Sequence, residues 1–176
     1  ADAVRDLFAR ERPEVLIHQA AQLDVRRSVA DPAYDADVNI LGTLRLVQHG
    51  LEHGLQKVIF ASSGGAIYGD TELMPTPETL SPAPISPYGV SKLAIEHYLH
   101  YFHTIQGLPY VALRYANIYG PRQNPHGEAG VIAIFAERLL RGQQAVVFGD
   151  GENTRDYVYV GDVVRANLAA LASDRV

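Results

Sequence analysis

The sequence predicts an α/β fold, a doubly wound parallel sheet carrying helices on both faces. Three observations predict it. Short apolar runs that read as strands alternate with longer stretches of helical periodicity. The run KVIFAS, Lys57 to Ser62, is nearly all apolar, as a strand covered on both faces must be. The polar motifs HQAA, SSGGAIYG and RYANIYG each follow a strand, at the carboxyl edge where such sheets hold their ligands.

Taken in order, Ala3 to Arg12 reads as a helix end, and Pro13 separates it from a strand at Val15 to His18. A polar loop closes at Asp31 and Pro32. The next stretch, from Ala33 to Gly54, places Val38, Leu41, Leu44 and Val47 at helical spacing and stops at a glycine suited to a left-handed cap. Lys57 to Ser62 is the second strand. Asp70 to Pro87 is a proline-rich loop, a cleft-shaping segment or a plain surface excursion. SPYGVSKLAIEHYLHYFHTIQG is a helix, YVALRYANIYG a third strand with its exit, VIAIFAERLLRG a helix, QAVVFGDG a strand and VGDVVRANLAALAS a closing helix.

The composition is that of a soluble globular chain: 176 residues, 47% hydrophobic, 20% charged. A formal charge of -5 argues against broad nucleic-acid binding while leaving room for a local cationic pocket. With no cysteine, disulfides, thiolate catalysis and cysteine-held metals are excluded. The first residues mix charges and do not read as a signal peptide, and no apolar run approaches the roughly 20 residues that span a bilayer. A cytoplasmic location with no membrane partner is expected. His97, His100 and His103 recur every three residues but drift around their helix, so no metal site is expected there, and His18 reads as a hydrogen-bonded structural histidine.

Tyr88 and Lys92 lie four apart just inside a helix, straight after a proline. They would be neighbours on one face whatever their purpose. Their chemistry nonetheless suits hydride transfer: a free phenol, with a pKa of about 10, is a poor base at neutral pH, and a nearby ammonium favours its phenolate. A dinucleotide fold also needs a glycine-rich turn after its first strand, and no G-x-G-x-x-G occurs. The chain opens in mid-helix. It is therefore expected to be an internal piece of a longer protein, lacking the first strand and helix units and a C-terminal part. On its own it should bind a dinucleotide poorly.

HQAA, ASSGGAIYG, SPYGVSK, LRYANIYGPRQ and GDGENTRDYVYVGD, in that order from Val15 onward, resemble the extended short-chain dehydrogenase/reductase family, and within it the nucleotide-sugar 4-epimerases of the UDP-glucose 4-epimerase type. The resemblance implies an incomplete Rossmann-like domain over 1–145, followed by a strand and helix with a nucleotide-sugar-binding segment over 146–176. It implies bound NAD and C4 epimerisation of a UDP-hexose through a 4-keto intermediate. Another epimerase, a dehydratase or decarboxylase of the same family, or a non-catalytic nucleotide-sugar-binding fragment, are the alternatives. Dehydratases and decarboxylases carry an Asp or Glu where this chain has Gly64, Gly65, Ala66 and Ile67, which disfavours them.

By the same resemblance, Tyr88 is the catalytic base and Lys92 lowers its pKa and binds the nicotinamide ribose. Ala20, Ala21, Asn39, Ser62 and Tyr115 border the cofactor; Asn117, Val131, Val147, Phe148 and Arg155 meet the substrate, with Arg155 on the diphosphate. Read from the residues alone, Tyr115 is equally a buried strand aromatic, and Val147 and Phe148 belong to a buried strand. The relay hydroxyl of the family falls at Gly64; Ser63, one residue earlier, is expected to replace it, unless Ser62 and Ser63 only cap local backbone. A homodimer is implied through a four-helix interface, using the helices that start near Ala33 and Tyr88.

Overall fold

The computed structural model describes residues 2–126 and 130–173. The chain opens with α1 (Asp2–Glu11) and the parallel strand β1 (Val15–His18). Two short helices follow, α2 (Val25–Ala30) and α3 (Pro32–Ala36). A π-helical segment, Asp37–Leu41, then runs directly into α4 (Gly42–Glu52). The single helix expected from Ala33 to Gly54 is thus three segments, because a π turn widens the helix around Asn39. Gly54 adopts φ +96, the left-handed region that lets the chain reverse into the next strand.

β2 (Lys57–Ser63) is the middle strand of a three-stranded parallel sheet, β1-β2-β3, with β3 at Tyr110–Tyr115. Val58, Ile59 and Phe60 are at most 1% exposed, the signature of a strand covered on both faces. Val58 and Phe60 face a core built with Val47 of α4 and with Ile95, Leu99 and Phe102 of α6 (Pro87–Gln106). Alternation turns Ile59 the other way, and α8 (Val160–Ala172) packs against β2 and β3.

α6 starts where its sequence says it should. Ser86 is the N-cap, accepting from the Gly89 N–H at 3.1 Å, and Pro87 occupies the first turn, where its missing N–H costs nothing. Gly107, at φ 70, ends it with its N–H on His103. α5 (Gly64–Ile67) is a single turn hung on the end of β2.

A second parallel pair joins β4 (Asn117–Tyr119) to β5 (Tyr157–Tyr159), with α7 (Val131–Leu140) between them in sequence. The strand expected at QAVVFGDG is absent: residues 143–148 form no ladder, and YVY supplies the partner of β4 instead. An apolar run becomes a strand only where a neighbour has a free edge, and β5 takes that of β4.

Candidate active site

At the carboxyl end of β2, strand alternation turns Ser62 and Ser63 to opposite sides. Ser62 is buried, its hydroxyl donating to Glu96 at 2.6 Å, so its side chain serves the fold rather than the strand-end cleft. Ser63 is the N-cap residue of α5 with no capping bond from its side chain, and its hydroxyl lies near enough to the Tyr88 phenol to favour the ionised form. A Cβ on Gly64 would come within 3.1 Å of the Arg114 carbonyl, so a hydroxyl-bearing side chain at that position would crowd backbone. Ser63 is the hydroxyl this strand end offers to Tyr88.

Lys92 is 3% exposed. Its Nζ donates to the Ala61 carbonyl at 2.7 Å and lies 5.7 Å from the centre of the Tyr88 ring and 4.7 Å from that of Phe60. Burial lowers its pKa to about 8, against which the Asp35 carboxylate acts. The Tyr88 phenol is raised above its ordinary value: burial is the largest cause, the nearby Ser63 hydroxyl opposes it, and Asp35 adds to it. The expected acidification of Tyr88 by Lys92 is therefore not present in the protein alone. The ammonium is bonded to Ala61, while desolvation penalises the phenolate directly.

Asn39 makes the tie expected of it. Its side chain accepts from the Gln22 N–H at 2.8 Å and donates to the Gln22 carbonyl at 2.9 Å, clamping the loop that follows β1 and contains Ala20 and Ala21. The same amide donates to Asp35, whose side chain is fully buried. His18, at the end of β1, is hydrogen-bonded as expected: its Nε2 lies 2.9 Å from the Thr43 hydroxyl, which itself donates to the Asn39 carbonyl. The Thr43 proton being spent there, His18 donates through Nε2. Burial, with Lys92 second, lowers its pKa to about 4. The Tyr115 hydroxyl accepts from Asn167 at 2.6 Å and Gln19 at 3.3 Å, joining the end of β3 to the middle of α8 and to the residue that follows β1.

A cavity of about 410 Å³ lies beside β4, β5 and α7. Asn117, Val131, Phe148 and Arg155 all line it, bringing together four residues far apart in sequence. Val147 does not; Val146 takes its place in the wall. Arg138 and Tyr157 line it too, and the spacing of neither marked it in advance. Phe148 is 86% exposed and, among the described residues, Arg155 bonds only its neighbour's carbonyl, which presents an aromatic face and a guanidinium fork to the cavity.

Sequence reasoning missed Asp35, Gln22 and the ion pair of Arg114 with Glu96. That pair is bidentate, at 3.0 and 2.6 Å, with Tyr68 accepting from the same guanidinium at 2.5 Å. One signal was available: Asp35, Asn39 and Thr43 recur every four residues, a polar stripe on an otherwise amphipathic helix.

The described residues fit one end of a dinucleotide. Lys92 is a buried ammonium using one of its three N–H donors on Ala61, which leaves donors for ribose hydroxyls, and Tyr88 and Ser63 stand beside it. A pyrophosphate cradle is not among the chain's motifs.

The strand ends of the parallel sheet thus gather Tyr88, Lys92 and Ser63, and a second cavity beside β4, β5 and α7 gathers Phe148 and Arg155. The chain belongs to the NAD dependent epimerase/dehydratase family, whose profile matches residues 1–176. It is 51% identical over 158 residues to a putative UDP-glucose 4-epimerase of Methanocaldococcus jannaschii, covering 90% of this chain and 52% of the relative. It is 49% identical over 164 residues to the UDP-glucose 4-epimerase of Mycolicibacterium smegmatis, covering 93% and 52%. Among solved structures, the Thermotoga maritima UDP-glucose 4-epimerase with UDP-glucose superposes with a TM-score of 0.93 at 55% identity, over 97% of this chain and 56% of that one. The Thermus thermophilus UDP-glucose 4-epimerase in complex with NAD gives 0.91 at 49%, over 99% and 58%. The chain thus spans about half the length of the relatives it matches.

Proposed function

We propose that the full-length protein is an NAD-dependent epimerase acting at C4 of a UDP-hexose, interconverting UDP-glucose and UDP-galactose. The observation that carries this reading is the pairing of Tyr88 with a buried Lys92, whose Nζ lies 5.7 Å from the centre of the phenol ring, in a chain about half identical to proteins named as UDP-glucose 4-epimerases. The absence of a carboxylate at 64–67 supports epimerisation over dehydration.

In this mechanism Tyr88 takes the proton of the sugar C4 hydroxyl, directly or through Ser63, as a ketone forms at C4. Lys92 and Tyr88 would hold NAD at its nicotinamide ribose, and the cofactor would supply the hydride acceptor and donor of the two half-reactions. Lys92 holds the nicotinamide ribose and adds its own charge beneath the Tyr88 ring. Tyr88 returns the proton when the 4-keto sugar, turned over in the cleft, is reduced on its other face. Arg155 and Phe148 grip the diphosphate and base, so that the sugar turns while its handle stays fixed. Holding the reacting groups in register is the protein's contribution; the hydride chemistry is the cofactor's.

The test is to incubate the full-length protein with UDP-glucose, UDP-glucuronate and UDP-N-acetylglucosamine separately and resolve the sugars. UDP-galactose as the main product is expected. A keto-deoxy sugar, or turnover confined to one of the other two substrates, would replace this reading.

A further inference from the structure

Asp35 is a carboxylate with no exposed surface, held among the described residues only by neutral donors: Ser91 Oγ at 2.6 Å, Gln22 Nε2 at 2.9 Å and Asn39 Nδ2 at 3.1 Å. An uncharged asparagine could satisfy the same three partners, since the Ser91 hydroxyl can turn to accept from a new amide. A buried anion is costly to hold without a paired cation, so the charge itself calls for a function. Its surroundings suggest one. Ser91 lies between Tyr88 and Lys92 in sequence, Asn39 and Gln22 frame the loop that borders the same cleft, and Ser28 accepts from the Tyr88 N–H at 3.2 Å.

We propose that Asp35 is a positioning residue of the reaction: from α3 it anchors the Tyr88–Lys92 turn and sets the charge balance of that pair without touching substrate. This rests on Tyr88 being the base. The groups facing the pair are Asp35 from α3, His18 from β1 and Ser63 from the end of β2. His18 is neutral above about pH 4, which leaves Asp35 as the only charged group of the three. The carboxylate keeps the desolvated Lys92 protonated and, by the same field, restrains ionisation of Tyr88. Removing it moves both equilibria to lower pH.

Asp35→Asn and Asp35→Ser in the full-length holoenzyme test this, with two readouts. The bell-shaped kcat profile is expected to move about one pH unit to the acid side with KM for the UDP-sugar unchanged. An ultraviolet tyrosinate titration, with Tyr88 identified by subtracting the Tyr88→Phe spectrum, is expected to move the same way. Ser91→Ala, which keeps the charge but removes the anchoring hydrogen bond, should lower kcat while leaving the pH position of both readouts in place. A neutral variant that folds but leaves both readouts unmoved overturns the proposal. So does loss of fold in both neutral variants, which would confine the carboxylate to folding. Should Tyr88→Phe abolish turnover while the Asp35 variants do nothing, this inference alone fails; turnover surviving Tyr88→Phe removes the reading beneath it.

Discussion

Burial acts in opposite directions on Tyr88 and Lys92, disfavouring the charged form of each: the phenol is raised and the ammonium lowered to about 8. His18, nearby, shows the same penalty in a form that stability measurements can read. Its pKa falls from 6.5 to about 4 on folding, so the unfolded chain binds more protons than the native one between those values. Stability is therefore fully present above about pH 6.5 and declines as the pH falls to about 4, by at most about 3 kcal/mol from this residue. Replacing His18 with glutamine, which can still donate to Thr43, should flatten that decline in chemical denaturation of the full-length protein at a series of pH values. An unchanged slope would place the acid sensitivity elsewhere. Tyr88, Lys92 and Ser63 were legible in the sequence because spacing and motif place them together. Asp35 was not, because a single aspartate in an amphipathic helix reads as solvent-facing until the loop at Gln22 is seen folded over it.

The π segment Asp37–Leu41 shows how far element-level reading reaches. Apolar spacing finds the helix but cannot find an extra residue in one of its turns, and that turn holds Asn39, whose amide reaches both backbone groups of Gln22. The apolar run around Val147 failed for a different reason. Hydrophobic strands and cavity walls have the same composition, and pairing decides between them. The start of α6 was legible to the residue, from Ser86 and Pro87, and Gly89 extends that reading into packing. A Cβ there would stand 2.4 Å from the Ala66 carbonyl and 3.0 Å from Pro84, against backbone that cannot yield cheaply. Gly89→Ala is expected to cost about 1–3 kcal/mol in a thermal melt and to lower turnover by moving the neighbouring Tyr88. A melt matching the wild type would show that α5 and α6 separate freely.

At the scale of the whole molecule, α6 presents Val90, Tyr98, Tyr101 and Ile105 along one stripe, each at least 42% exposed, and Val38 and Leu41 are exposed on the π segment ahead of α4. No helix among the described residues is long and apolar enough to cross a membrane. We propose that two copies of the full-length protein pair through these helices, four helices to the interface. The Tyr101→Asp, Ile105→Asp double variant should sediment as a monomer where the wild type sediments as a dimer; a wild type that is monomeric at micromolar concentration would refute the pairing. The parallel sheet and its strand ends were legible as a whole, since alternation of strand and helix dictates them; the β4–β5 pair and the cavity beside it depend on contacts between segments distant in sequence. The most direct test of the central claim is single-turnover sugar oxidation by full-length Tyr88→Phe loaded with NAD and UDP-glucose. A rate loss of about 10²–10⁴-fold with NAD still bound is predicted, and an unaltered rate would contradict the assignment of the phenol as the base.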